Sequence, residues 1–600
     1  MRLFPLQLER LECPCRCAID RIAARPRLAG AVLWGLALLC YLPGTLALPP
    51  VDRTEVVYAE MSRAMLARGD SLDATFQGER YPFRPIGITW LQMAAGSLLG
   101  KSAQSAIATY RLPSLIGGIL AVLALWWLLR PLIGNRGALI SAALFAVSPI
   151  IALQAQLAIP EGPLLLAMVV AQVSLLRLYC APAPKHEQGL ALLFWAAQGS
   201  SILLNALAVP ILSLATLIAL FVLDRDFKWL KRLRPLVGVP LMLLIAAPWL
   251  LVRAHVDGVP FSTLTFSELL RALGGAQDMK WKAAPLTFTL AMALGFLPGA
   301  LLIVPALKGL WENRAFALQR FLLAWIVGYL LYLELIASKP ALYTVQALFP
   351  ALAAAVALAL DRPAAQAASD SGQLAIPPLS LRLPWWLVLP ATIALFAGGL
   401  TFAGVAPSFI VVGGATLVAV LFTCAARAMG EGRAATWVTT SIVGFALFNA
   451  YTFAVALPHI KIAWPAARIA EAVAPLQRCV VGPVGVLGFR EPSSIFLLGP
   501  RSITDAETIA AWIATGEEAV VAIEDRFQPD VARVLGLRRA KLPPRLGCVT
   551  AFNVMRGCPL SFSIYVTGAP KLDPGCKLES RFACQGPPSQ TPADATSRCR

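Results

Sequence analysis

Apolar runs, each close to the ~20 residues a helix needs to cross a bilayer, recur along this chain between short polar loops. We read them at 30–48, 112–130, 137–153, 162–180, 190–204, 206–223, 236–252, 287–307, 320–337, 342–360, 384–403, 407–424 and 435–457. That pattern predicts a polytopic α-helical membrane protein with about 13 transmembrane helices. Two intervening stretches are long, 49–111 and 253–286. Within the first, Val57, Met61, Ala64 and Met65 share one helical stripe, with Glu55, Glu60, Ser62 and Arg63 off it. Such a pattern predicts a helix lying on the bilayer surface. A second interfacial helix is expected at 86–99, with Trp90 at interface depth. The small, polar stretch 361–383 reads as a flexible connection.

From residue 458 the periodicity changes. Short β-type runs at 480–485, 494–499, 519–525, 549–554 and 561–567 alternate with helical stretches near 504–515 and 528–535. A small C-terminal exported α/β domain follows from that alternation. The chain therefore divides into a basic leader (1–27), a transmembrane domain (28–457) with outward loops 49–111 and 253–286, an α/β domain (458–570) and a tail (571–600). The tail, rich in Pro, Ser and Gln, reads as disordered.

Composition excludes an ordinary soluble enzyme. Of 600 residues 58% are apolar and only 14% charged, with a mean hydropathy of +0.69, against about 45–50% and about 25% for soluble domains. Lys and Arg are unevenly placed. The leader carries Arg2, Arg10, Arg16, Arg21, Arg25 and Arg27, and alternation puts Arg130, Arg136, Lys185, residues 224–234, Lys308, Arg314, Arg427 and Arg433 on the same side. The positive-inside rule makes that side cytoplasmic and sends the C-terminal domain to the periplasm. Anionic lipid is sufficient to explain the net charge of +18, so no nucleic-acid partner is implied. The leader runs into the first apolar run without a small-residue cleavage site, so that helix is expected to stay.

Twelve cysteines divide by compartment. Cys13, Cys15 and Cys17 form CPCRC in the leader, a spacing poor for zinc, and that leader reads as unstructured. Cys479, Cys548, Cys558, Cys576, Cys584 and Cys599 lie on the exported side, where disulfides are permitted. At least one is expected among Cys548, Cys558, Cys576 and Cys584, and the pairing is left open.

No P-loop, HExxH, GxSxG or paired CxxC occurs, and there are three histidines, which argues against common zinc and triad hydrolases. What remains is a set of charges on the outward face: Asp52, Arg53, Glu55, Glu60, Arg80, Arg84, Glu161 and Lys339. Glu161 sits in the tight turn LAIPEGP and Lys339 at the helix end IASKPALY, at depths where charge is costly. Any one alone reads best as a snorkelling helix-end charge. Together, acids beside several cations suit a phosphate-bearing lipid, with Arg and Lys clamping phosphate and a carboxylate taking a proton from an incoming hydroxyl.

Several stretches carry a family resemblance: DRTEVVYAEMSRAMLARGD (52–70), RYPFRPIGITWLQ (80–92), YRLPSLIGG (110–118), WLKRLRPLVGVPLMLLIAAPW (229–249), SKPALYTVQALFPALA (338–353) and REPSSIFLLG (490–499). The chain resembles the polyprenyl-phosphate-dependent GT-C glycosyltransferases, in the family-39 branch that holds aminoarabinose transferases of lipid A and protein mannosyltransferases. It departs at chemical positions. The family's catalytic aspartate falls on Thr54, followed by Glu55, and its arginine on Val57. A Glu-Ala-Arg segment becomes Gln154-Ala155-Gln156, a lysine falls on Asn205, and a zinc-binding histidine on Trp281.

The resemblance implies an inner-membrane, inverting glycosyltransferase. It would move a sugar from a polyprenyl-phosphate carrier to a membrane lipid (lipid A), glycan or protein acceptor on the periplasmic side. Glu55 or Asp52 would be general base, supported by Glu161. Arg53, Tyr58, Arg80, Arg84, Lys339 and Tyr343 would hold substrate. No cofactor is fixed by the sequence, and a divalent metal is left open. The rival reading is a non-catalytic polyprenyl-lipid-binding relative or partner of an active transferase.

Overall fold

The structure is a computed structural model that describes residues 9–51, 53–77, 79–80, 85–180, 186–205, 207–225, 228–257, 284–336, 342–361, 376, 409–554 and 556–568. Of the apolar runs read above, 384–403 lies outside these residues, and each of the others falls on helix. By length and apolar composition six described helices suffice to cross a bilayer. A seventh span arises if Thr287–Gly295 and Gly299–Glu312, bent by 114° at their break, are one.

The first ten helices build the half of the molecule that carries the candidate residues. They are α1 (Glu9–Ala24), α2 (Pro26–Ala47), α3 (Thr54–Arg68), α4 (Gly87–Leu99), α5 (Ile107–Val147), α6 (Pro149–Ala155), α7 (Glu161–Cys180), α8 (Glu187–Asn205), α9 (Ala208–Asp224) and α10 (Pro235–Asp257). Pro26 opens α2, where a missing N–H costs nothing, and Pro49-Pro50 follow its end, where the helix cannot continue. The 41-residue α5 is two arms: Gly134 breaks it at φ 73° and ψ 171°, backbone that only glycine adopts without strain.

Close approach of α5 and α7 depends on small residues. A Cβ on Gly162 would meet the Ser114 backbone oxygen at 2.3 Å, and one on Gly117 would meet the Pro163 nitrogen at 2.5 Å. With lipid outside, such backbone-to-backbone contact supplies the dispersion that holds helices together. On the opposite membrane face, Arg320 donates to the Tyr179 hydroxyl (2.6 Å), which donates to Asp224 (2.8 Å), joining α7, α9 and the helix Ala317–Leu331.

From Glu9 to Ala24 the leader is helical, not unstructured. Its cysteines lie on α1, which is held at both ends. Glu12 accepts from the backbone N–H groups of Ala435 and Thr436 (both 2.9 Å) at the start of the helix Ala434–Tyr451, a favourable place for an anion. Asp20 pairs with Arg136 at 3.1 Å.

The C-terminal domain contains a four-stranded sheet of order β3-β4-β6-β5, with β3 Val484–Leu487, β4 Ala519–Glu524, β5 Gly547–Asn553 and β6 Cys558–Thr567. Two residue pairs of the early loop, Thr75–Phe76 and Glu79–Arg80, form β1 and β2. Strands β3 and β4 are parallel, and β6 runs antiparallel to both β4 and β5. Every residue of β4 is buried. Val520 and Ala522 pack under the helix Pro465–Gln477, whereas Val521 and Ile523 pack under Ala506–Thr515 and Gln528–Leu537. Covering both faces is why this strand is a continuous apolar run. Cys479, Cys548 and Cys558 are disulfide-bonded.

One β-type run is not a strand. Residues 494–499 lie on the helix Pro492–Leu498, opened by Pro492 at its first position and ended by Gly499 at φ 101°. A six-residue apolar run cannot declare its period, and packing of this one against α3 selects the helix.

Candidate functional site

The site grows from one buried ion pair. Arg111, in the first turns of α5, has no exposed surface, and Glu55, in the first turn of α3, is 2% exposed. The guanidinium grips the carboxylate by two parallel bonds, Nε to Oε1 at 2.7 Å and an NH2 hydrogen to Oε2 at 2.9 Å. Its remaining hydrogens go to the backbone oxygens that α2 exposes at its end: Leu48 (2.7 Å), Pro49 (3.0 Å), Thr45 (3.2 Å) and Gly44 (3.4 Å). The carboxylate is equally engaged. Oε1 also accepts from the Ala158 N–H and Oε2 from the Val51 N–H, both at 2.8 Å.

An ionised carboxylate offers about four acceptor positions, and these donors fill them. Burying two charges is tolerated only when such hydrogen bonds complete the pair. The geometry corrects the expectation for Glu55: it has no acceptor position left for a substrate hydroxyl. Instead it ties together the end of α2, the start of α3, the start of α5 and the turn before α7.

A second polar chain braces that turn. Ser62 donates to Gln92 (2.7 Å), Gln92 donates to the Ala158 oxygen (3.1 Å), and Ser114 donates to the Ile159 oxygen (2.6 Å). Glu161 follows at the head of α7, 3% exposed. Helix α3 is thus not an interfacial helix with its polar side in water. Glu55 and Ser62, off the apolar stripe, are buried with Val57, Met61 and Met65, because α3 is covered by α4 on one side and the C-terminal domain on another.

Contact with that domain is specific. Phe496 sits edge-on to Tyr110 (centroids 6.1 Å apart) under the Arg63 guanidinium, 4.8 Å from its ring. Arg63 also donates to the Phe496 oxygen at 3.2 Å and pairs with Glu60 at 2.7 Å. Arg53, at φ 66°, pairs with Glu491 at 3.4 Å.

The other expected residues divide in two. Tyr58 is buried with Ile88 and Ile159 beside the site. The backbone of Arg80 lies on β2 and that of Tyr343 on the short helix Leu342–Leu348. Asp52, Arg84, Lys339 and Trp281 lie outside the described residues. Sequence reasoning did not single out Arg111, Gln92 or Ser114. The signal for Arg111 was present, a charge at the very start of the apolar run 112–130. Among the described residues no group of three or more His, Cys, Asp or Glu is placed to hold a metal ion.

The molecule is a bundle of helices apolar and long enough to cross a membrane, whose first loop folds into a helix covered by a C-terminal α/β domain. Its fold matches that of ArnT from Cupriavidus metallidurans bound to undecaprenyl phosphate, with TM-score 0.65 and 18% identity over 89% of this chain and 97% of that one. The apo form of the same protein gives 0.63 and 19%. Residues 83–252 match the family described as dolichyl-phosphate-mannose-protein mannosyltransferase. Two relatives are undecaprenyl phosphate-α-4-amino-4-deoxy-L-arabinose arabinosyl transferases. That of Pseudomonas fluorescens is 27% identical over 53% of this chain and 58% of its own length. That of Edwardsiella ictaluri is 28% identical over 50% and 52%. The match thus spans little more than half of these relatives. Over about half its length the chain is thus similar to family-39-like GT-C glycosyltransferases, and its fold is that of ArnT.

Proposed function

We propose that this protein is an inner-membrane glycosyltransferase that moves a sugar from a polyprenyl-phosphate carrier to a lipid, such as lipid A, or a glycan on the face bearing the C-terminal domain. The names of its relatives support the donor class. The observation that carries the reading is the clasp of Glu55 on Arg111, which fixes a ring of α2, α3, α5 and the turn before Glu161. Positioned acids beside cations at membrane depth are what transfer from a phosphate-bearing lipid requires.

In this reading Glu55 is a positioning residue and Asp52 the base. Asp52 is the acid nearest to Glu55 in the sequence, and both of its chain neighbours are held, Val51 by Glu55 and Arg53 by Glu491. Glu161 orients the acceptor. Arg84 and Lys339 clamp the donor phosphate, with Arg80, Tyr58 and Tyr343 around them. The bulk of the chain is oriented with its N-terminus in the cytoplasm and the C-terminal domain in the periplasm, as the Lys/Arg bias supports.

The test is transfer from undecaprenyl-phosphate aminoarabinose to lipid A by purified protein in vesicles. Asp52→Asn should lower turnover by about 10²-fold or more while leaving the folded yield and donor binding unchanged. Wild-type turnover in Asp52→Asn with loss in Glu161→Gln would move the base to Glu161. Donor binding without transfer by the wild type would remove the activity altogether.

A further inference from the structure

On the membrane face opposite Glu55 and Glu161, α5 and α7 leave a concavity lined, among the described residues, by Trp127, Arg130, Pro131, Asn135 and Arg177, with a volume of about 310 Å³. We propose that it is a binding site for the phosphate headgroup of an anionic glycerophospholipid, separate from the polyprenyl-phosphate site.

The lining is built by two local features. Gly134, in its left-handed conformation, reverses α5 and brings Asn135 back to Arg130, whose Nε donates to the Asn135 Oδ1 at 2.9 Å. Arg130 also rests on the Trp126 ring, 5.1 Å from its centroid. These two contacts fix the guanidinium plane and leave its two terminal nitrogens without partners among the described residues. Arg177 projects from the last turn of α7 and makes no hydrogen bond or ion pair among the described residues. Among the described residues no acid lines the cavity.

A plainer account of Arg177 is that a cation suits a helix C-terminus. That accounts for one arginine and not for a second, from another helix, oriented beside it with an amide N–H2 as a further donor. Two guanidinium groups lining one open cleft match a phosphate, which takes paired N–H bonds. Basic clefts between membrane helices at headgroup depth bind acidic lipids for the same reason. Trp127, 57% exposed at the rim, supplies the aromatic body that settles at the bilayer interface. A soluble phosphate would use the donors and not the Trp.

Full-length protein, stripped of lipid in detergent, is titrated by native mass spectrometry with phosphatidylglycerol, phosphatidylcholine and inorganic phosphate. Phosphatidylglycerol should bind saturably and phosphatidylcholine should not. Arg130→Gln with Arg177→Gln should weaken phosphatidylglycerol about tenfold or more, the scale of losing charge-assisted hydrogen bonds, with undecaprenyl phosphate binding unchanged. Trp127→Glu, with its folded yield checked by size-exclusion chromatography, should weaken it as well. Wild-type affinity in the folded double variant or in Trp127→Glu overturns the site. Equal binding of the two lipids does so too, and inorganic phosphate binding as tightly as phosphatidylglycerol assigns the cleft to a soluble ligand instead.

Discussion

Glu55 and Glu524 are both acids with almost no exposed surface, and their surroundings treat them in opposite ways. Glu55 meets a guanidinium and two backbone N–H groups. Glu55→Gln would set an amide N–H2 against those donors and strand Arg111, with a loss of about 3–5 kcal/mol, the usual consequence of breaking a buried pair. Its folded yield and thermal midpoint should fall together with activity, which separates it from Asp52→Asn. Glu524 ends β4 and is 1% exposed. Burial raises its carboxyl to about 7 from the usual 4.5, outweighing the pull of Arg526. The folded state then holds this proton more tightly than the unfolded chain. Between about 4.5 and 7 stability should therefore decline as pH rises, by about 1.4 kcal/mol per unit at most. In the thermal midpoint of the C-terminal domain from pH 5 to 8, Glu524→Gln should lose that slope.

At the scale of elements, two contacts decide the architecture around the site. The helix Pro492–Leu498 docks the C-terminal domain on α3 through Phe496, which is 5% exposed. Phe496→Ala should cost docking about 3–5 kcal/mol, the range for a buried Phe. Hydrogen exchange should then rise in α3 and in 492–498 while the β-sheet stays protected. The other contact is the α5–α7 crossing. Gly162→Ala places a methyl group against the Ser114 backbone, which has no side chain to move aside. Folded yield should drop, and Ala substitution at Gly134's neighbour Asn135, exposed and outside the crossing, should leave it intact. The spacing of 86–99 and of 504–515 was legible as helix because apolar and polar positions there repeat with a clear period. The run 494–499 was not, and α3 was given the wrong environment. In both cases what decides is the partner surface, and local sequence does not state it.

For the whole molecule, the Lys/Arg bias sets one testable frame. With the orientation proposed, a periplasm-active reporter at Arg600 should be active and one within 224–234 silent. The reverse result would place Glu55, Glu161 and the C-terminal domain in the cytoplasm and exclude a periplasmic acceptor. The interlock of leader and bundle belongs to this scale as well, since Glu12 caps a helix more than four hundred residues away.

The sequence by itself determined the membrane class, the position of the apolar helices among the described residues, the presence of a small C-terminal sheet region and the family resemblance. Each of these is written in composition, in periodicity or in contiguous motifs, which are local properties. Tertiary structure alone decided what the acids do. Glu55 and Arg111 are 56 residues apart, and the donors that fill the carboxylate come from Val51 and Ala158 backbone, which carries no residue-type signal. A titratable group is defined by its neighbours, and those neighbours exist only once α2, α3, α5 and α7 have packed. The candidate acids could therefore be named from the sequence, while folding determined that Glu55 holds the site together and has no acceptor left for substrate.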